Sequence, residues 1–419
     1  MKRILISSIM AIVLIFTNAG YTKAAENDMP KIEGKAGITI DMDTGEIIYA
    51  NGIDDKYYPA STTKLLTALL FAENKNKNDE IKYTESAKEQ PAYSIDKTLI
   101  KMQVGESMKA QDVMDALLIF SANDSAYMIA DSVSGNSSKF EELMNERIKK
   151  LGLKNTHFVT PNGLHDKNHY TTPYDLSVIA REAFKNQWVR ETLAKSKSRL
   201  TTSTGAMADI ENRNKLLGID GCLGGKTGYT DPAGRVLVAF FERNGRKMVG
   251  VVMKSAYDYN DSVVFEDMKK IIDWSYNQKP VVVHKKGDTL KTETLKYKLF
   301  RFFGPEKTIQ APILVNDDVK YYENSVNKAE AKEEYNIEKL NVWNLNSKNS
   351  VGTFTLKERE AVKNYKLYTT VSTKDVFKEN IIFYVGTLLV ILMLIIIIAM
   401  ITLKIKRNRS RRRGPIYFN

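Results

Sequence analysis

Residues 381–403 form a run of 23 residues, nearly all apolar, without one charged side chain. A helix rises about 1.5 Å per residue, so such a run crosses a hydrocarbon core about 30 Å thick. A helix buried in a soluble core would carry a polar stripe, and this run has none. Lys404, Lys406, Arg407, Arg409, Arg411, Arg412 and Arg413 follow at once. Clustered positive residues stay on the cytoplasmic side of a span. The other end agrees. Lys2 and Arg3, the apolar stretch 4–16 and Thr22-Lys23-Ala24 are the three parts of a secretory signal cleaved before Ala25. That stretch is too short to span a bilayer comfortably. The expected order is a signal peptide at 1–24, an exported part, a transmembrane helix at 381–403 and a basic cytoplasmic tail at 404–419.

This order accounts for the formal net charge of +12. Seven positive residues lie in the tail and three in the leader, with no Asp or Glu in either, which leaves +2 for the exported part. The basic balance therefore marks topology, and nucleic acid is not expected as a partner. Cys222 is the only cysteine, so no internal disulfide forms and the exported part depends on its core. About 355 residues are enough for two domains.

Residues 35–50 alternate around Asp43-Thr44-Gly45, which predicts two strands joined by a turn. Residues 61–73, 113–120, 125–132 and 140–151 follow the helical period, the last closed by Gly152. Residues 236–241 and 248–253 read as buried strands joined at Asn244-Gly245, and 261–276 as a closing helix. Strands at both ends with helices between them predict an α+β domain at 25–278, an antiparallel sheet flanked by helices. Short alternating runs at 281–283, 295–299, 309–315, 351–356 and 365–371 predict a small β-rich domain at 279–378. The charged segment 323–335 fits a loop or a helix.

Three short motifs follow one another in the larger domain: Ser61-Thr62-Thr63-Lys64, Ser121-Ala122-Asn123 and Lys226-Thr227-Gly228. Singly they say little. S-x-x-K recurs at Ser94-Ile95-Asp96-Lys97 and Ser325-Val326-Asn327-Lys328, although K-T-G occurs once. Their order and setting describe a serine acyl-transfer site with lysine as its base. Ser61 sits where a loop enters an apolar helix, and Lys64 is three residues on, so both share one helical face. A lysine acts as base only when neutral, and burial beside another positive charge favours that state. Lys226 is the expected source of that charge. Ser121 has a hydroxyl to relay a proton, Asn123 an amide to hold Lys64 and a substrate carbonyl. Lys226 and Thr227 suit a terminal carboxylate, and Gly228 permits close approach of a substrate backbone. Cys222 reads as an inert, small apolar residue.

With Pro59-Ala60 before the first motif, Asp124 after the second, Phe158-Val159-Thr160-Pro161-Asn162-Gly163-Leu164, His169-Tyr170-Thr171-Thr172-Pro173-Tyr174-Asp175-Leu176, Asn212-Arg213-Asn214 and Gly225-Lys226-Thr227-Gly228-Tyr229-Thr230, residues 30–275 resemble the serine-type D-alanyl-D-alanine carboxypeptidases, the low-molecular-mass penicillin-binding proteins. The resemblance implies a penicillin-binding, β-lactamase-like transpeptidase fold and removal of the terminal D-alanine from peptidoglycan stem peptides. It makes Ser61 the nucleophile, Lys64 its proton acceptor, and Ser121 and Asn123 the second catalytic motif. Lys226, Thr227, Gly228, Tyr229 and Arg213 would bind substrate, with the N–H groups of Ser61 and Tyr229 as oxyanion hole. No cofactor or metal is implied; the implied partners are the stem peptide, β-lactams as covalent inhibitors, and the membrane through the C-terminal helix. The implied location is the bacterial cell membrane, single-pass, with the catalytic domain outside. In this family the C-terminal segment is often an amphipathic surface helix, whereas the run here is long enough to span.

Three other readings compete. A β-lactamase would need a glutamate for its deacylating water, and the nearest string, Glu141-Glu142-Leu143-Met144-Asn145, is one residue out of register. A zinc carboxypeptidase would draw on His157, His165 and His169, but H-E-x-x-H is absent. A membrane-anchored penicillin sensor would need a signalling domain larger than the short tail.

Overall fold

The computed structural model describes residues 29–412. The signal peptide expected at 1–24 and the end of the tail, 413–419, lie outside the described residues. The chain forms two compact units, residues 1–278 and 279–419.

The first unit opens with β1 (Ala36–Asp41) and β2 (Ile47–Asn51). Then come α1 (Lys64–Asn74), β3 (Glu80–Lys82), α2 (Glu85–Lys88), β4 (Ser107–Lys109) and α3 (Ala110–Asp115). The helices α4 (Asn123–Ser134), α5 (Ser137–Lys150), α6 (Pro173–Lys185) and α7 (Gln187–Leu193) precede a ribbon of β5 (Lys197–Thr201) and β6 (Met207–Glu211). The unit ends with β7 (Cys222–Thr230), β8 (Gly234–Arg243), β9 (Arg246–Ser255) and α8 (Val263–Asn277). The first two strands and the last three make one antiparallel sheet of order β2-β1-β9-β8-β7. This is the α+β arrangement read from the sequence.

Local chemistry explains the main elements. Asn244 (φ 52) and Gly245 (φ 78) both take the left-handed conformation of the tight hairpin between β8 and β9. Thr172 caps α6 by accepting a hydrogen bond from the Asp175 N–H, with Pro173 in the first turn. Six consecutive residues of β8 and of β9 are buried, so helices cover both faces of the sheet. Buried Asp267 of α8 accepts the backbone N–H groups of Glu33 and Gly34 at 3.0 and 2.8 Å and the Ser255 hydroxyl at 3.2 Å. Thus the two ends of the unit are tied together. β7 is left as a sheet edge, paired only with β8.

In the second unit β10 (Val281–His284) pairs with β13 (Val319–Tyr321). A five-stranded sheet of order β11-β12-β16-β15-β14 forms from β11 (Thr289–Lys298), β12 (Glu306–Val315), β14 (Lys332–Ile337), β15 (Gly352–Glu358) and β16 (Ala361–Thr369). The charged segment 323–335 becomes the short helix α9 (Ser325–Glu330) and the start of β14. β14 is an edge with almost no buried residue, so it has no alternation to read. The helix α10 (Thr373–Arg412) starts well before the apolar run. Its first turns belong to the domain core. Val376 is fully buried, and the Asn380 amide donates to the Tyr297 hydroxyl at 2.7 Å while accepting from Lys307 at 2.7 Å.

Phe240 of β8 is fully buried and stacks on Phe184 of α6 at 4.3 Å between ring centroids. Phe240→Ala is expected to lower unfolding stability by about 3–5 kcal/mol in urea titration.

Candidate active site

The first motif folds as a 3₁₀ turn, Ala60–Thr63, running into α1 at Lys64. The Lys64 ammonium lies 2.9 Å from the Ser61 hydroxyl oxygen. It also donates to Asn123 Oδ1 at 3.1 Å and to the Asn162 carbonyl at 2.8 Å. Lys64 has no solvent exposure at all. Burial first, and the Arg213 charge second, pull its pKa down to about 7, against a smaller opposing pull from Asp124. Arg213 is thus a second cation acting on Lys64 beside Lys226, one the sequence did not announce in that role. Lys226 is itself fully buried and held well below its ordinary value by burial, then by Lys64 and Arg213.

The second motif lies between helices, as expected. Ser121 follows a wide π-helical turn over Ala116–Phe120 and is left-handed (φ 74), while Asn123 opens α4. The Lys226 ammonium donates to the Ser121 hydroxyl at 2.8 Å and to the Thr227 carbonyl at 2.9 Å. The third motif lies within β7 itself. A bulge between Cys222 and Gly224 shifts the register ahead of Lys226, which then lies opposite Val238. Gly228 passes so close to the Ser61 turn that an added Cβ would sit 3.0 Å from the Pro59 carbonyl oxygen and 3.1 Å from the Ser61 nitrogen. Tyr229 is partly exposed, and its hydroxyl donates to Asp231 at 2.7 Å. The Arg213 guanidinium lies 4.8 Å from the ring centroids of both Tyr93 and Phe120. Among the described residues it has no hydrogen bond or ion pair, which leaves its donors available.

Several residues to which the sequence assigned no part in the site complete the cluster. Asn162 gives its carbonyl to Lys64, and its own amide donates to Gln90 at 2.9 Å. Buried Asp124 accepts the Ile95 and Asp96 N–H groups at 2.8 and 3.1 Å and fastens that loop under α4. Burial pushes its carboxyl up to about 6. His169 accepts the Val159 and Thr160 N–H groups on Nδ1, so Nε2 carries the hydrogen and donates to the Thr63 hydroxyl at 2.9 Å. Burial holds this ring neutral, its pKa lowered to about 3. Asn162-Gly163 belongs to a string that carries the family resemblance, but nothing in the sequence tied it to Lys64. Ala60 (φ 48), Tyr93 (φ 62) and Ser121 (φ 74) are all non-glycine residues in left-handed conformation beside the cluster. Strain of this kind, on the order of 1–3 kcal/mol per residue, persists only where the surroundings impose it.

The competing arrangements do not assemble. At the second S-x-x-K, Ser94 caps a turn by accepting the Lys97 N–H at 3.2 Å, and the Lys97 ammonium goes to the Gln90 carbonyl. At the third, Ser325 merely starts α9. The imidazoles have separate partners: His157 meets the Asn168 carbonyl at 2.9 Å, and His165 packs edge-on against Tyr58. Among the described residues no polar partner of Ser61 or Lys64 is a glutamate. Asn145 of α5 bonds instead to the Phe158 backbone. Cys222 is buried, and burial raises its thiol pKa.

Residues 22–256 match the D-alanyl-D-alanine carboxypeptidase family. The chain belongs to that family. It is 28% identical over 324 residues to D-alanyl-D-alanine carboxypeptidase DacF of Bacillus subtilis, covering 75% of this chain and 81% of that protein. It is 29% identical over 316 residues to DacD of Escherichia coli, covering 71% and 78%. Among solved structures, a D-alanyl-D-alanine carboxypeptidase from Mycobacterium tuberculosis superposes with a TM-score of 0.56 at 27% identity, over 60% of this chain and 94% of that one. The Streptomyces K15 DD-transpeptidase does so with a TM-score of 0.54 at 27% identity, over 59% and 99%. The protein is therefore a serine-type D-alanyl-D-alanine carboxypeptidase of the bacterial cell wall and a penicillin-binding protein.

In this carboxypeptidase Gly163 (φ 78) packs against the Ala60–Thr63 turn, and an added Cβ would overlap the Ala60 carbonyl oxygen. Gly163→Ala is expected to slow labelling of the protein by a fluorescent penicillin by at least about tenfold. Labelling at the wild-type rate would show that the turn does not need this contact.

Proposed function

We propose that Ser61 is the acyl-enzyme nucleophile and Lys64, in its neutral form, the base. The observation that carries this reading is the fully buried Lys64 amine 2.9 Å from the Ser61 hydroxyl, with its pKa near 7. A neutral amine has two hydrogens and one lone pair. Asn123 Oδ1 and the Asn162 carbonyl accept the two hydrogens, which leaves the lone pair facing Ser61. The stem peptide lies along the free edge of β7 as an added strand. Its terminal carboxylate meets Thr227, Lys226 and the open guanidinium of Arg213. The penultimate carbonyl oxygen takes the Ser61 and Tyr229 N–H groups, and Gly228 keeps that approach clear. Ser61 attacks, and its proton passes to Lys64. The C–N bond breaks as a proton reaches the departing D-alanine nitrogen through Ser121, which Lys226 holds. Water then opens the ester and restores the Ser61 hydroxyl.

Because no glutamate adjoins Ser61, a penicillin adduct should be long-lived. Ser61→Ala is expected to lower D-alanine release from an acyl-D-Ala-D-Ala peptide by about 10⁴-fold or more. The wild-type acylation rate should rise as pH passes through about 7 and level off above it, because Lys64 loses its proton there. Release that survives in Ser61→Ala, or an acylation rate flat from acid to alkaline pH, would overturn the assignment.

We also read α10 as a single membrane span that holds the catalytic unit outside the cell. The side chains of its apolar stretch are exposed, and none of the window that would cross is buried in the protein. At the level where that stretch begins, the Tyr384 hydroxyl donates to the Leu299 carbonyl at 2.9 Å. The same hairpin presents Phe302 and Phe303, 76% and 66% exposed, beside Arg301, a composition suited to the lipid headgroup layer. The full chain is expected to stay with membranes through an alkaline carbonate wash, and Ile391→Arg with Ile395→Arg to release it. Release of the wild-type chain would remove this reading.

A further inference from the structure

A groove of about 400 Å³ adjoins the nucleophile turn and is lined by Lys56, Tyr57, Tyr58, Lys167, Tyr170 and Lys254, with Pro232 at its edge. Tyr58 immediately precedes the Pro59-Ala60-Ser61 turn, and Pro232 lies two residues past the end of β7. The groove is thus bounded by the two segments that frame the reacting centre. Its charge is uncompensated. The first unit pairs lysine after lysine with carboxylates, among them Lys77 with Glu191, Lys109 with Glu80 and Lys195 with Asp115. Among the described residues none of Lys56, Lys167 and Lys254 has such a partner. Lys56 lies over the Tyr170 ring at 4.3 Å, and Lys254 donates to the Pro232 carbonyl at 2.6 Å, contacts that leave both charges intact. The nearby Asp231 carboxylate is taken by the Tyr229 hydroxyl.

The backbone is bent to present Lys254. Between Arg235, opposite Ser255, and Leu237, opposite Val252, two residues of β9 face one of β8. This is a bulge, and bulges re-aim side chains. Lys254 sits in it at φ 54, a conformation that favours glycine. Lys254 thus braces the turn after β7 through the Pro232 carbonyl while its charge has no carboxylate partner among the described residues.

Position along β7 gives the groove its ligand. With the terminal carboxylate of the substrate at Thr227 and the scissile carbonyl at Tyr229, the rest of the donor peptide continues away from Thr227, past Thr230, toward Pro232. We propose that this groove binds a carboxylate on the donor peptide, upstream of the penultimate D-alanine, and so selects acidic stem peptides. The α-carboxylate of a γ-linked D-glutamyl residue is such a group. Lys56, Lys167 and Lys254 supply the charge, and the three tyrosines flank the peptide. This inference rests on the reading of Ser61 and β7 given above.

The test compares two peptides on the full-length protein: acetyl-γ-D-glutamyl-(Nε-acetyl)-L-lysyl-D-alanyl-D-alanine, and the same peptide with the glutamyl α-carboxylate amidated. Wild type should favour the acid by about tenfold in kcat/KM, through KM, and added salt should erode the preference. Lys56→Gln with Lys167→Gln should bring the ratio toward one while leaving the amide peptide unaffected, and Lys254→Gln should act in the same direction. Equal rates for acid and amide in wild type, or a preference unchanged in the double variant, would overturn the groove assignment while the carboxypeptidase reading stands. If folded wild type releases D-alanine from neither peptide, the site reading fails and the groove assignment falls with it.

Discussion

The structure around the site is organised by one constraint, the burial of the Lys64 amine. An ammonium group taken out of water is costly unless it is paired or neutral. Here no carboxylate contacts it; two carbonyl oxygens and a hydroxyl do. That environment tolerates the neutral form, and the pKa near 7 follows. The Ser61 partner comes from the same turn, three residues away. The other two come from residues 59 and 98 positions further along the chain. Each distant partner is in turn held: Asn123 by Ala92, Asn162 by Gln90, and the Ile95–Asp96 loop by Asp124. The second shell therefore fixes the first, and the strained backbone at Ala60, Tyr93 and Ser121 shows where the fold imposes that geometry.

The sheet serves the site through its edge. β8 and β9 are buried on both faces and stiffen the unit, while β7 keeps one side unpaired. An open edge is normally a liability for aggregation. Here it carries Lys226 inward to Ser121 and sets Gly228 against the Ser61 amide, so the same strand anchors the cluster and, in the proposed reading, offers backbone groups to an extended peptide. A bulge between Cys222 and Gly224 precedes the stretch that sets Lys226 opposite Val238.

Much of the fold was legible because it rests on local rules. The Asn244-Gly245 hairpin, the helix starting at Ser61-Thr62-Thr63-Lys64, the glycine stop at Gly152 and the long apolar run each follow from turn chemistry or periodicity. The edge strand β14 was not legible, because an exposed strand buries no alternate residues. The early start of α10 was not legible either, because Val376 and Asn380 are buried by a β-domain whose packing no periodicity announces.

For the site, the sequence determined the chemical identity: a serine and a lysine one helical turn apart, a Ser-x-Asn and a single Lys-Thr-Gly, in an order that limits the chemistry to acyl transfer. Only the tertiary structure decided which acceptors surround the lysine, that the Arg213 charge adds to burial in lowering its pKa, and that Asn162, Gln90, Asp124 and His169 hold the parts in place. The physical reason is distance along the chain. Helical period and turn preference act over a few residues, whereas burial, and the electrostatics that burial amplifies, depend on what the whole fold brings together.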